Sequence, residues 1–227
     1  MTSSFLWIIM IGVMIFSFII QQTLNARFEK YSRIPTRGAL TGAEVAAKML
    51  RDNGITDVKI VSVPGMLTDH YNPESKTVNL SEGVYSQRSI AAAAVAAHET
   101  GHAIQHAVGY GPLKLRSSLV PVVTFANRTV TWVILLGLLV ANFLGPTLLY
   151  VGIGLFAATT LFSFITLPVE INASHRALEW LNGSGISDFE TQDMAADALK
   201  WAALTYVIAA LGSLATLFYY IGLARRN

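Results

Sequence analysis

The stretch AAAAVAAHETGHAIQH, Ala91 to His106, sets two histidines and a glutamate into an otherwise alanine-rich helical run. On a helix, side chains four positions apart stand one above the other on the same face. His98 and His102 can therefore direct two imidazole nitrogens at one point about 2.0 to 2.1 Å from each, the bond length of a zinc ion. Glu99 lies about 100° around the helix from His98, within reach of the ion's open coordination position without being a ligand, and is placed as a general base. Gly101, next to the second histidine, is expected to leave room for substrate and an opposing strand. The alanines let neighbouring elements pack closely on the helix backbone.

A satisfied core histidine explains one such residue. It does not explain a pair one turn apart with a glutamate between, in a chain whose five histidines include three within nine residues. With no cysteine in the sequence, a metal here is held by imidazole and carboxylate alone. Zinc ordinarily takes three protein ligands in a catalytic site, and the candidates for the third are His106, His70, His175 and Glu170. His106 lies about 12 Å along the helix axis from His98, too far for both to bind one ion. Glu170 follows Pro168 in LPVEINASHRAL, where a carboxylate is costly unless paired or metal-bound. The plainer reading is that Glu170 only marks the end of an apolar span.

The elements that position these residues belong to a membrane protein. Of 227 residues, 53% are hydrophobic and 13% charged, about half the charge of a soluble domain. A net charge of +2 without a basic stripe argues against nucleic acid as a partner. Four apolar segments approach the roughly 20 residues that cross a bilayer. Phe5 to Ile20 reads as an uncleaved anchor, with no basic residues before it and no small-residue cleavage pattern after it. The tract from Ser118 to Val169 breaks at NFLGP, Asn142 to Pro146, into two spans, the first beginning near Val130 because Asn127 and Arg128 precede it. Trp201 to Leu223 is the fourth. Residues 1–24 then form an anchor, 25–116 a catalytic region, and 117–227 spans two to four.

Within 25–116, Thr41 and Glu44 have the form of a capping box, ahead of a helical apolar face of Ala43, Val45, Ala46, Met49 and Leu50 that stops at Asn53-Gly54. VKIVSV and KTVNLS read as two short strands around a loop containing Pro64-Gly65 and DHYNPES. The helix that carries His98 is expected to start at Ser81 or Ser86. The fold class is mostly α, with about four transmembrane helices and a small α+β region containing a short β-hairpin. No internal repeat is visible.

Two spans separate His102 from Glu170, so the chain crosses and returns, bringing Glu170 back to the side of the histidines. Arg27, Lys30, Arg33, Arg37, Lys114, Arg116, Arg176 and Lys200 flank the spans on that side, against Arg225 and Arg226 on the other. That bias makes the catalytic region cytoplasmic.

VAAHETGHAIQ, with LTDHYNPESKTVNLS before it and LPVEINASHRAL after it, resembles the YugP-like family of bacterial membrane zinc metallopeptidases over nearly the whole chain. The run from Glu170 to Ser174 is also similar to the third-ligand motif E-x-x-A-D of the HtpX and CAAX prenyl protease group. Ser174 stands in place of the aspartate, which leaves open what holds His98 or His102 in its tautomer. His175 stands where arginine is expected. The resemblance implies hydrolysis of peptide bonds in a peptide or membrane-protein substrate at the membrane surface, with Zn2+ on His98, His102 and Glu170 and with Glu99 as base. An oxyanion donor is also needed, and His70 and Tyr206 are the nominees, with a loop residue and an interfacial aromatic as their plainer readings.

The strand pair offers an edge to which an extended peptide could add, or it only covers the helix. A site-2-type intramembrane protease expects a distant aspartate in an LDG-like segment, and none follows the third span. A transporter expects an inverted repeat, which is missing. A non-catalytic scaffold with structural zinc keeps the ligands but leaves Glu99 idle.

Overall fold

The computed structural model describes residues 3–144 and 146–225. The chain runs α1 (Ser3–Ser32), α2 (Gly42–Asp52), β1 (Lys59–Val63), β2 (His70–Asn72), β3 (Thr77–Ser81), α3 (Glu82–Ser86), α4 (Ile90–Ala107), α5 (Gly111–Leu144), α6 (Thr147–Gly183) and α7 (Phe189–Ala224). Helices α1, α5, α6 and α7 each contain a segment long and apolar enough to cross a membrane. The mostly helical membrane architecture with a small mixed α+β region is as the sequence reading has it.

The chain divides into two compact units, and each of the four long helices contributes to both. The first takes the described residues within 1–20, 115–167 and 205–227. Its interior gathers Val130, Ile134, Leu149, Ile153 and Ala224, with Phe156, Tyr220 and Ile221 packed around them. A β-carbon on Gly137 would meet the Leu149 backbone nitrogen at 2.7 Å, so α5 and α6 pack backbone to backbone, as small residues allow between apolar helices. The outward faces carry Ile8, Phe16, Phe18, Trp132, Leu139, Leu161 and Phe218, all exposed. Exposed large apolar side chains in this number suit lipid as their surroundings.

The second unit, residues 21–114 and 168–204, holds the chemistry. Val45, Met49 and Leu50 of α2, Val78 and Leu80 of β3, the alanines of α4, and Ala177 and Leu181 of α6 form its core. The predicted capping box is present: the Thr41 hydroxyl accepts from the Glu44 amide, and the Glu44 carboxylate accepts from the Thr41 amide. At the ends of α1 and α7, Asp197 accepts hydrogen bonds from the Tyr31 hydroxyl at 2.7 Å and Trp201 Nε1 at 3.2 Å, with Arg27 Nε 3.3 Å away.

Four local expectations need correction. VKIVSV and KTVNLS are strands, but β1 and β3 pair in parallel and do not make the hairpin. The hairpin partner of β3 is HYN, read as loop, which forms β2 antiparallel to it at the edge of a sheet ordered β1-β3-β2. A three-residue strand is too short to show alternation, and its turn rests on Asn72 Oδ1 accepting from the Glu74 and Ser75 amides and on Lys76 at φ +50°. The histidine helix starts later than expected: α3 ends, Gln87 turns extended, and Ser89 caps α4 by accepting from the Ala92 amide. Helix α5 begins at Gly111, not near Val130, because Asn127 and Arg128 do not interrupt helical hydrogen bonding. Helix α6 runs well past Glu170 to Gly183, with Pro168 inside it. Of the expected turn at NFLGP, Gly145 lies outside the described residues, as does Arg226 of the C-terminal basic pair.

Candidate metal centre

Helix α4 is buried over nearly its whole length, and alanine is the residue that permits this, since it adds no bulk and loses no rotamer freedom. On that helix His98 and His102 stand one turn apart, their rings edge to face with centroids 4.9 Å apart. Helix α6 crosses at close range: a β-carbon on Gly101 would lie 2.7 Å from the Ala173 carbonyl oxygen and 3.2 Å from its Cα. Gly101 therefore serves the helix crossing, not the substrate clearance expected of it. The crossing carries Glu170, 2% exposed, onto the histidine face.

Glu170 Oε2 lies 3.3 Å from His98 Nε2 and 3.5 Å from His102 Nε2. The ligand atoms of the three residues all lie within 4.8 Å of one another. Donors placed tetrahedrally at zinc bond lengths are separated by about 3.3 to 3.4 Å, and the distances from Glu170 to the two imidazoles are close to that. Two imidazoles and one carboxylate are also a donor set that zinc accepts, with one position left over. Burial opposes a proton on His102, but the Glu170 carboxylate beside it and the charge of Glu99 outweigh burial and hold its pKa above the ordinary imidazole value.

Glu99, 9% exposed, sits outside this triad. Its Oε2 accepts a 3.0 Å hydrogen bond from the backbone amide of Tyr71 in β2. Tyr71 also reaches down α4, its hydroxyl 2.8 Å from His106 Nδ1. Burial, with the charge of Asp57 adding to it, pushes the Tyr71 phenol up, so the hydroxyl keeps its proton. Asp69, just before β2, is tied to β3 by accepting from the Ser81 amide at 2.7 Å and from its hydroxyl.

Of the residues weighed as a third ligand, the structure groups only Glu170 with the histidine pair. His106 faces Tyr71. His70 is exposed, with Nδ1 2.8 Å from the Thr68 carbonyl oxygen, and His175 is exposed and pairs with Glu179 at 3.3 Å. Tyr206, the other oxyanion nominee, is a partly exposed residue of α7 in the first unit. Around the site, Gln105 and Asn172 were missed, and Ser174 was read only as replacing an aspartate. Ser174 Oγ lies 3.1 Å from His98 Nδ1, Gln105 Oε1 lies 3.0 Å from His102 Nδ1, and Asn172 lies behind Gln105. For Gln105 a signal existed, since it follows His102 by three positions and shares its helix face.

A membrane protein with HExxH on a buried helix and a glutamate returned by a later helix belongs to a definable class. Residues 6–225 match the family described as "Putative neutral zinc metallopeptidase", and the chain belongs to that family. It is 44% identical over 205 residues, 90% of each chain, to the protein named "Putative membrane protease YugP" of Bacillus subtilis (strain 168). No solved structure matches it.

Proposed function

We propose that this protein is a zinc-dependent endopeptidase of the bacterial cell membrane, crossing it several times and cutting membrane-associated or unfolded protein segments at the cytoplasmic face. The observation that carries the reading is the convergence of His98 Nε2, His102 Nε2 and Glu170 Oε2 beside a glutamate whose second oxygen is not needed to hold it in place. His98, His102 and Glu170 are the residues that hold zinc. When bound there, zinc supplies Lewis-acid polarisation of a scissile carbonyl and lowers the pKa of water toward about 7.

Glu99 takes the proton of the attacking water and passes it to the leaving amine, steps in which a positioned acid-base contributes about 10²- to 10⁴-fold. With Oε2 engaged by the Tyr71 amide, the transfer falls to Oε1. The catalytic region is 25–116, completed by Glu170 from the helical region 117–227, with 1–24 as anchor. An extended peptide adding to the β2 edge has to compete with Glu99 for the Tyr71 amide, which ties substrate entry to movement of the base. The basic residues flanking the spans support the cytoplasmic assignment.

The test is Glu99→Gln in the full chain, assayed for hydrolysis of unfolded protein and for bound zinc. Loss of hydrolysis with zinc retained supports the enzyme. Zinc binding in an unaltered protein that cleaves nothing favours a zinc-stabilised scaffold instead.

A further inference from the structure

A neutral imidazole carries its proton on one nitrogen, and only the bare nitrogen can take a metal. Which nitrogen of His102 is bare follows from donor and acceptor inventories alone, read inward from Arg176. Arg176 Nε lies 2.9 Å from the Asn172 side chain. A guanidinium only donates, so the Asn172 atom it meets is the oxygen. That same Oδ1 is 3.0 Å from Gln105 Nε2, which is also 2.8 Å from the Val169 carbonyl oxygen. Both neighbours only accept, so the NH₂ of Gln105 faces them and its Oε1 faces His102 Nδ1 at 3.0 Å. Gln105 is fully buried, so bulk solvent does not compete for these partners. An oxygen against Nδ1 requires the proton there and leaves Nε2 bare, turned toward Glu170 Oε2 at 3.5 Å. Reversing the Gln105 amide would put a donor against Nδ1, move the proton to Nε2 and close the site to a cation, and reversing Asn172 would set two NH₂ groups against each other and remove one of the two acceptors that hold Gln105.

We propose that Arg176, Asn172 and Gln105 form an orientation relay that keeps His102 in its metal-accepting tautomer, with Gln105 as the positioning residue in contact with the ring. The relay supplies from α4 and α6 what an aspartate at position 174 would otherwise be expected to supply, and it acts on the second histidine. His98 is held separately, through Ser174. The metal half of this inference rests on the zinc reading above; the tautomer half does not.

The experiment uses the full-length protein in detergent, comparing the unaltered chain with Gln105→Leu and Asn172→Leu. Zinc affinity is measured by competition with a chelator, and the histidine ring-nitrogen shifts of the zinc-free protein are recorded at about pH 9, above ordinary imidazole titration. Loss of a residue that orients a ligand lowers metal affinity by about 10- to 100-fold, which is the expectation for Gln105→Leu, with Asn172→Leu falling between it and the unaltered chain. The shifts are expected to show His102 protonated at Nδ1 in the unaltered protein and mixed between nitrogens in Gln105→Leu. If Gln105→Leu unfolds, Asn172→Leu carries both measurements. An unchanged tautomer or an unchanged zinc affinity in a folded variant overturns the relay. If the unaltered protein takes no zinc, the enzyme reading falls and the nitrogen shifts alone decide the relay.

Discussion

Gly101 of α4 and Ala173 of α6 touch backbone to backbone, so closely that a single methyl group at position 101 would stand 2.7 Å from the Ala173 carbonyl oxygen. Glu170 sits one turn before that contact, and the distance of its carboxylate from both imidazoles is set there. Gly101→Ala has to push α6 away from α4, an overpacking strain of about 1 to 3 kcal/mol. The expected result is a lower melting temperature together with zinc affinity reduced by more than that of a substitution on a lipid-facing position. A variant that binds zinc normally would show that the crossing does not set the ligand distance.

Removing a proposed zinc ligand is the more direct perturbation. His98→Ala and Glu170→Ala each leave two of the three donors, and elemental analysis of the purified proteins should find zinc near background in both. Zinc retained in Glu170→Ala would mean that the carboxylate is only an ion-pair partner of the histidines.

Acid should release the metal. Zinc needs both imidazoles neutral, and protons compete for the same nitrogens. In the zinc-free protein, burial works against a proton on His102, yet the Glu170 carboxylate and the charge of Glu99 raise its pKa above the ordinary value. A raised histidine stabilises the zinc-free fold below its unfolded value of about 6.5 and loses that contribution as pH rises through its folded value. The zinc-induced rise in melting temperature is therefore expected to be small near about pH 6 and larger near about pH 8. A rise that shrinks with increasing pH contradicts this assignment.

Tyr71 anchors the edge strand to α4 at two points, its amide on Glu99 and its hydroxyl on His106. Tyr71→Phe removes only the second, a hydrogen bond worth about 0.5 to 1.5 kcal/mol. With the amide still present, kcat should fall by about tenfold or less and zinc affinity should hold. His106→Ala should reproduce that loss, since it removes the same bond from the other side. Unequal effects would separate the two residues.

The local parts of the site are legible in the one-dimensional pattern because helix geometry is local. His98, Glu99 and His102 take their mutual arrangement from a 3.6-residue turn, the capping box at Thr41 and Glu44 spans three positions, and apolar length alone marks the four long helices. Glu170 was reachable by counting apolar spans, on the expectation that two of them return the chain to its starting side. Where the reading slipped, the deciding partner was distant. The hairpin strand HYN is stabilised by pairing with β3, and Gly101 answers to Ala173, which lies two long helices further along the chain.

What the sequence by itself determined is the chemistry available: two imidazoles on one helical face with a glutamate beside them, a carboxylate on a later helix, and no thiol. What only the tertiary structure decided is how those groups are held. The Tyr71 amide on Glu99 and the Ser174 hydroxyl near His98 pair segments 28 and 76 residues apart, and the end of Gln105 that faces His102 is fixed by the Val169 carbonyl and Asn172 on another helix. Backbone amides are the same at every position, and a glutamine side chain offers a donor end and an acceptor end equally. Which atom faces which partner is therefore set only when the helices cross and each buried polar group has to find a match.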